Sequence, residues 1–217
     1  MSGNRSIRID GVTLTRGNTK MGRVLNISLP PPRTCSHVLP CYSKGCYAMR
    51  TAYNLYPEVR AAWDGNIEVW DASRSRYCDA VNAAIDKVKP DLFRWHVGGD
   101  IPGWMDDADL YLRYVVCETA ERHPDVRFWL TTKKHAVIVR NAACVRRRPN
   151  LAVMLSMWPG LECNARTRRV WPTAWLDDPK NPDPRIPKDA RPCSGRCDTC
   201  AACWGMKAGE SVVFKKH

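Results

Sequence analysis

From residue 92 onward the chain alternates short apolar runs with segments of helical period, and this order restricts it to folds built around a mostly parallel sheet. Residues 92–97 form an aromatic and branched run that is stopped by Gly98-Gly99-Asp100 and Pro102. Asp106 and Asp107 suit a helix start, with Leu110, Tyr114, Cys117 and Ala120 on one face. The spacing then predicts a strand over 126–131, a helix over 135–145 and an almost unbroken apolar strand over 151–157. Upstream, residues 24–29 read as a strand that Pro30, Pro31 and Pro32 turn into a loop. Residues 57–88 read as two consecutive helices divided near 73–75.

The usual solutions for strands and helices in this order are an open doubly wound sheet or a full or partial barrel, and both place their sites at the C-terminal strand ends. The fold expected here is α/β: a single domain, a partial or degenerate (β/α) barrel of about six mostly parallel strands with a cysteine-rich C-terminal extension. Residues 170–175 supply the fifth strand and 212–214 the sixth. The organisation expected is a body over 1–176 with a cysteine loop at 33–48, a Pro-rich tether at 177–192, and a cysteine segment with the last strand at 193–217.

No stretch approaches the roughly 18 to 20 apolar residues that a membrane span needs. The N-terminal MSGNRSIRIDG has no apolar region behind its basic residues, so it does not read as a secretory signal. The location expected is the cytoplasm. A reducing compartment shifts eleven cysteines, an odd count, away from disulfides and towards metal or redox duty.

Cys193, Cys197, Cys200 and Cys203 are spaced C-x3-C-x2-C-x2-C, close enough to wrap one metal centre. Tetrahedral zinc and a 4Fe-4S cubane both take four sulfur ligands, and successive short steps are nearer to ferredoxin-type cluster binding. Four unligated thiols on a tail would instead be an oxidation hazard. Cys35, Cys41 and Cys46 supply three more sulfurs from a loop, which leaves one iron of a cubane open. His37 or a cysteine of the other group would be alternatives for the fourth ligand, and plain packing residues are the bland alternative. Cys78, Cys117 and Cys144 fall on apolar helix faces and read as core, while Cys163 stays unassigned.

With 34 Lys and Arg against 22 Asp and Glu, the net charge of +12 suits nucleic acid or a nucleotide, or simply a solvated basic surface. His96, just before the glycines, is a candidate acid-base group that Asp100 would orient, with a hydrogen-bonded core histidine as the alternative. Lys133 and Lys134 are candidates for a phosphate-bearing partner, with an exposed loop as the alternative.

A three-cysteine loop after the first strand, followed by a strand ending in Gly98-Gly99-Asp100, resembles the plan of radical S-adenosylmethionine enzymes. That resemblance implies that Gly98, Gly99 and Asp100 hold the amino group of S-adenosylmethionine. It also implies further cofactor contacts from Thr132 and Ser156 at later strand ends, and from Tyr47 beside Cys46. The cysteine tail is similar to the auxiliary-cluster extensions of that superfamily. The spacing differs, being C-x5-C-x4-C with Gly45 before the third cysteine where the superfamily usually has C-x3-C-x2-C and an aromatic residue. More narrowly, SLPPPRTC, CYA at 46–48, WHVGGD at 95–100, TTKK and the ending VVFKKH resemble the gene product 88 family of phages and mobile elements.

Three functions follow as expectations. The first is a 4Fe-4S enzyme, with one or two clusters, that reduces S-adenosylmethionine and acts on nucleic acid or a nucleotide, with His96 and Asp100 catalytic and ferredoxin or flavodoxin as reductant. A second is a non-catalytic iron-sulfur or zinc protein that binds DNA or RNA through its basic surface. Electron transfer without a substrate of its own is the third.

Overall fold

The computed structural model describes residues 6–17, 21–43 and 45–216. The first five residues, on which the reading of the N-terminus partly rests, lie outside the described residues.

The chain opens with a hairpin, β1 (Ser6–Ile9) and β2 (Val12–Arg16), paired antiparallel with Ile9 opposite Val12. The turn is Asp10-Gly11, both at positive φ (47° and 91°), which matches the right-handed twist of the flanking strands. β3 (Leu25–Asn26) pairs antiparallel with β2 and parallel with the strand that follows it in the sheet. Only two of the expected residues 24–29 are regular strand, because Pro30 and Pro31 end the ladder. Pairing nevertheless continues, since the Ile27 N–H bonds the Arg94 carbonyl at 3.3 Å and the Leu29 N–H bonds the Gly98 carbonyl at 3.0 Å.

The cysteine loop carries two single-turn helices, α1 (Pro31–Thr34) and α2 (Pro40–Ser43), and then a π-helical turn over Met49–Tyr53. α3 (Pro57–Ala72) and α4 (Arg74–Val88) are separate helices, and the Ser73 hydroxyl between them accepts from the Arg76 N–H. Buried Asn66 of α3 donates to the carbonyls of Thr13 and Ser28 and accepts from the Thr13 N–H, tying that helix to the first strands.

β4 (Leu92–Trp95) leads through the Gly-Gly-Asp turn into α5 (Asp106–Leu110), a π segment at Tyr111–Cys117 and α6 (Glu118–Arg122). The π segment moves the buried face. Tyr111, Leu112, Val115, Val116 and Ala120 are buried, whereas Tyr114, expected on the apolar face from a 3.6-residue period, is 53% exposed. The i→i+5 bonding of a π turn widens each turn and rotates the later residues away from the α-helical phase.

β5 (Arg127–Thr132), α7 (His135–Arg140), α8 (Ala142–Arg146) and β6 (Leu151–Ser156) follow. α9 (Ala165–Val170) then takes the beginning of the expected fifth strand, and β7 starts only after Pro172, at Thr173–Asp177. Asn164 caps α9 by accepting from the Thr167 N–H, so its side chain starts a helix where the arginine-rich sequence carries little apolar period. The last elements are β8 (Arg191–Pro192), α10 (Cys197–Cys200), a 3-10 turn at Ala202–Trp204 and β9 (Ser211–Lys215).

Among the described residues nine strands form one sheet in the order β1-β2-β3-β4-β5-β6-β7-β9-β8, parallel from β3 to the β8 edge. The expected six-stranded count is therefore corrected to nine, and the sheet is not a closed barrel: β1 and β8 are its two edges. Strands β3 to β7 follow chain order, so successive right-handed crossovers step in one direction and stack their helices on one face. Pleating separates the two faces. Phe93, Trp95, Phe128, Leu130 and Val153 point into the helix-side core, while Trp129, Met154, Ala174 and Val212 point to the opposite face. No helix among the described residues is long and apolar enough to cross a membrane.

Candidate metal centres on the open face and at the strand ends

The sheet face away from the helices is covered by the C-terminal cysteine segment. Trp204 anchors it: the indole N–H donates to the Phe93 carbonyl at 2.9 Å, and the ring packs on Trp129 with centroids 5.0 Å apart. The Cys193 N–H bonds the Val213 carbonyl at 2.9 Å, which fixes the start of the segment along β9. Ala201 takes a left-handed conformation (φ 47°) that ends α10 and turns the chain back towards Cys203. As a result Cys193, Cys197, Cys200 and Cys203 all line one cavity of about 20 Å³, walled by Trp129, Trp204, Val212 and Phe214.

These thiols act on one another. Burial pushes the Cys203 thiol up to about 12; Arg94 opposes that shift, and Cys197, Cys193 and Cys200 add to it. Cys200 is lowered, because the Ala202 backbone and the Ser194 hydroxyl bond its sulfur. Among the described residues no three His, Cys, Asp or Glu groups stand in closed metal-ligating geometry. The four cysteines line the same cavity without forming such a group. A space of this size is on the scale of one water or one ion and is smaller than a cubane.

The N-terminal cysteines sit at the C-terminal ends of the parallel strands, in the loop after β3. Cys35 is pushed up to about 12, chiefly by burial and then by Asp100, with Lys133 opposing and Cys46 and Cys41 adding. Cys41 is raised by burial in the same neighbourhood. Burial works against the charge of Lys133, but Cys41, Asp100, Cys35 and Cys46 outweigh it and hold its amine above the ordinary lysine value. The three thiols, the Lys133 amine and the Asp100 carboxylate are thus electrostatically linked. His37 points elsewhere: its ring stacks on Tyr42 at 4.5 Å and its Nε2 lies 3.1 Å from the Pro32 carbonyl.

Asp100 is 3% exposed and its carboxylate is engaged by the chain itself. Oδ1 accepts from the Ile101 N–H at 2.8 Å and from the Thr132 hydroxyl at 2.5 Å, and Oδ2 accepts from the Lys133 N–H at 2.9 Å. The Thr132 oxygen in turn accepts from the Lys134 N–H at 3.0 Å. Thr34 links this network to the cysteine loop by accepting from the Asp100 N–H at 3.2 Å while donating to the Pro30 carbonyl at 2.9 Å.

The two glycines are required by close approach. A Cβ on Gly98 would lie 2.2 Å from the Trp63 ring, and one on Gly99 (φ 79°) would lie 2.4 Å from the Leu29 carbonyl oxygen. Tyr47 is exposed and donates its hydroxyl to the Val97 carbonyl. The Ser156 carbonyl lies 3.0 Å from His135 Nε2.

His96 does not point into the open face, because its left-handed backbone (φ 50°) breaks the strand alternation. It is buried on the helix side with Nε2 2.9 Å from the Tyr111 hydroxyl, which lies 3.0 Å from the Tyr77 hydroxyl. Asp100 does not orient it by hydrogen bonding, since Nδ1 has no partner among the described residues. Burial lowers its pKa to about 4, against the opposing charge of Asp100, and keeps the ring neutral.

The sequence carries no signal for Arg94, which lies on the open face with its guanidinium 4.3 Å from the Trp129 ring centre, because strand periodicity does not tell which face stays free of helices. Nor did it indicate a cleft of about 240 Å³ between α3, α4 and the Pro102-Gly103 turn. Its arginines are already ion-paired, Arg33 with Asp71 and Arg74 with Asp107.

No curated protein and no solved structure matches the chain. The wider resemblance to radical S-adenosylmethionine enzymes draws no support from the comparisons. A family model described as gene product 88 matches residues 12–205, which is most of the length, and the chain belongs to the gene product 88 family.

Proposed function

We propose that the chain is a cysteine-ligated metalloprotein, with a tetrathiolate centre on the open sheet face and a three-thiolate iron-sulfur site at the strand ends. The observation that carries this reading is the single cavity lined by Cys193, Cys197, Cys200 and Cys203. Clustered thiols, Cys197 buried and the other three half-buried, that Trp204 and the Cys193 backbone fix against the sheet fit a ligand shell better than idle packing. The C-terminal centre closes over the face left bare by helices, so metal binding there is also a stabilising clasp. Bound at Cys35, Cys41 and Cys46, a 4Fe-4S cluster with one open iron would supply one-electron reduction, of S-adenosylmethionine in the enzymatic version of this reading. In that version Lys133 and Tyr47 face the incoming molecule, whereas Asp100, Thr132, Gly98 and Gly99 hold the loop in place.

A second property is favoured by one specific observation. Arg146 and Arg147 at the end of α8, with Arg166 and Arg169 on α9, are exposed and have no ion-pair partner among the described residues. These segments lead into β6 and β7, at the end of the sheet away from the cysteine loop. A rim of this charge suits the phosphate backbone of nucleic acid.

The test is iron, zinc and acid-labile sulfide per chain on protein made without oxygen. Three proteins are compared: the wild type, a variant with Ser at Cys197 and Cys203, and a variant with Ser at Cys35 and Cys41. Metal that falls stepwise with each variant supports two centres. A wild-type chain carrying neither metal nor sulfide overturns the reading. Retention on a polynucleotide that is insensitive to salt removes the nucleic-acid property.

A further inference from the structure

Arg94 lies on the open sheet face against Trp129, a wall of the four-cysteine cavity, and does not itself line that cavity. It is partly buried, its guanidinium lies 4.3 Å from the Trp129 ring centre, and Nη1 is 3.4 Å from the Met21 sulfur. Trp129 in turn packs on Trp204, and both rings line the four-cysteine cavity. Met21, Cys193, Cys197 and Cys203 belong to the same apolar cluster. No carboxylate lies within ion-pair distance of Arg94 among the described residues.

A guanidinium that is partly withdrawn from water and, among the described residues, meets a thioether and an indole face but no carboxylate is poorly compensated. The anion it lacks is supplied by the cavity beside it. Four thiolates around a dication leave two net negative charges, and four around a doubly positive cubane leave the same. Strong thiolate charge in an apolar pocket needs a nearby cation, and Arg94 is stacked on the Trp129 wall of that pocket.

We infer that Arg94 is the resident counter-cation of the C-terminal tetrathiolate centre, a positioning residue stacked on Trp129 to meet the centre's net negative charge. This rests on the metal-binding reading of Cys193 to Cys203. It deepens that reading by making the metal site extend into β4, so that the sheet itself and not only the tail senses the centre. The role depends on charge and stacking, which a guanidinium combines and an ammonium keeps only in part.

The experiment is a cobalt(II) titration of the metal-free full-length chain, followed by the thiolate-to-cobalt charge-transfer band, together with thermal melting of the same metal-free samples. Arg94→Met is expected to bind cobalt roughly 10- to 100-fold more weakly with an unchanged four-sulfur spectrum, as for loss of an outer-shell partner. Its metal-free form is expected to melt no lower than wild type, because an uncompensated cation has been removed. Arg94→Lys is expected to stay within about threefold of wild-type affinity. Wild-type affinity in Arg94→Met, or a lower melting point of its metal-free form, overturns the inference, the latter by making Arg94 an ordinary structural residue. If Arg94→Met does not accumulate as folded protein, a loss of about tenfold or more in Arg94→Lys overturns it. A wild-type chain that shows no four-sulfur cobalt spectrum fails at the metal-binding reading itself, and that outcome is distinct from a wild type that binds while Arg94→Met binds equally.

Discussion

Replacing Asp100 with Asn separates a residue that holds the cysteine loop from one that waits for a ligand. The two carboxylate oxygens accept three donors, the Ile101 N–H, the Thr132 hydroxyl and the Lys133 N–H, in a side chain 3% exposed. An amide has one oxygen. If that oxygen keeps Ile101 and Thr132, the new NH2 faces the Lys133 N–H; if it turns to Lys133, the NH2 faces Ile101. Either way one buried N–H loses its acceptor, which costs about 1–3 kcal/mol, and the remaining bonds lose their charge assistance, worth about 1 kcal/mol more. The expected destabilisation is about 3 kcal/mol, which for a slope of about 2–3 kcal/mol/M lowers the urea midpoint by about 1 M. Equilibrium unfolding of Asp100→Asn followed by tryptophan fluorescence measures it. A midpoint within about 0.2 M of wild type refutes the reasoning, because a carboxylate kept for a ligand contributes little to the fold.

Gly98→Ala is expected to destabilise by about 1–3 kcal/mol through overlap with Trp63, and Trp63→Leu in the same chain is expected to recover part of that loss, read as a coupling energy in a double-mutant cycle. His96 is held neutral in the fold, with its pKa lowered from 6.5 to about 4. The stability it contributes is therefore fully present above pH 6.5 and is lost as pH falls from 6.5 towards 4, by up to about 3 kcal/mol. Unfolding curves between pH 7 and pH 4 check this, and His96→Asn, which tolerates the left-handed backbone, is expected to flatten the dependence. A chelator is expected to lower the melting temperature of the wild type and to leave the Cys197→Ser, Cys203→Ser variant unmoved; equal responses in the two contradict the clasp.

The parts of the fold legible in the sequence are those where burial is regular. β4, β5 and β6 stand out because Phe93, Phe128 and Val153 lie in aromatic and branched runs covered on both faces, by helices on one and the cysteine segment on the other. The opening hairpin is also written plainly, as Ile7, Ile9, Val12 and Leu14 alternate around Asp10-Gly11, yet an antiparallel pair joined by a tight turn stands outside the alternation of strand and helix that marks the parallel sheet. α9 is hidden because its start is set by one cap, Asn164, in a segment where Arg166, Arg168 and Arg169 mask any apolar period. At the site, spacing alone groups Cys193 to Cys203, since contiguous ligands need no knowledge of the fold. The neighbourhood of Cys35, Cys41 and Cys46 is different: Lys133 reaches it from 87 residues away, from Cys46, only because β4 and β5 run parallel and end together. His96 shows the converse error, where one left-handed residue sends a strand-end side chain to the face opposite the one alternation assigns.

The central claim is that thiolates of this chain hold metal, and X-ray absorption at the metal edge of protein purified without oxygen tests it most directly. The expected spectrum has a first shell of sulfur alone at about 2.3 Å, lost when Cys197 and Cys203 become Ser if the metal is zinc, and diminished if iron also occupies the N-terminal site. A first shell of nitrogen and oxygen, or a sulfur shell that persists unchanged in both cysteine variants, would contradict it.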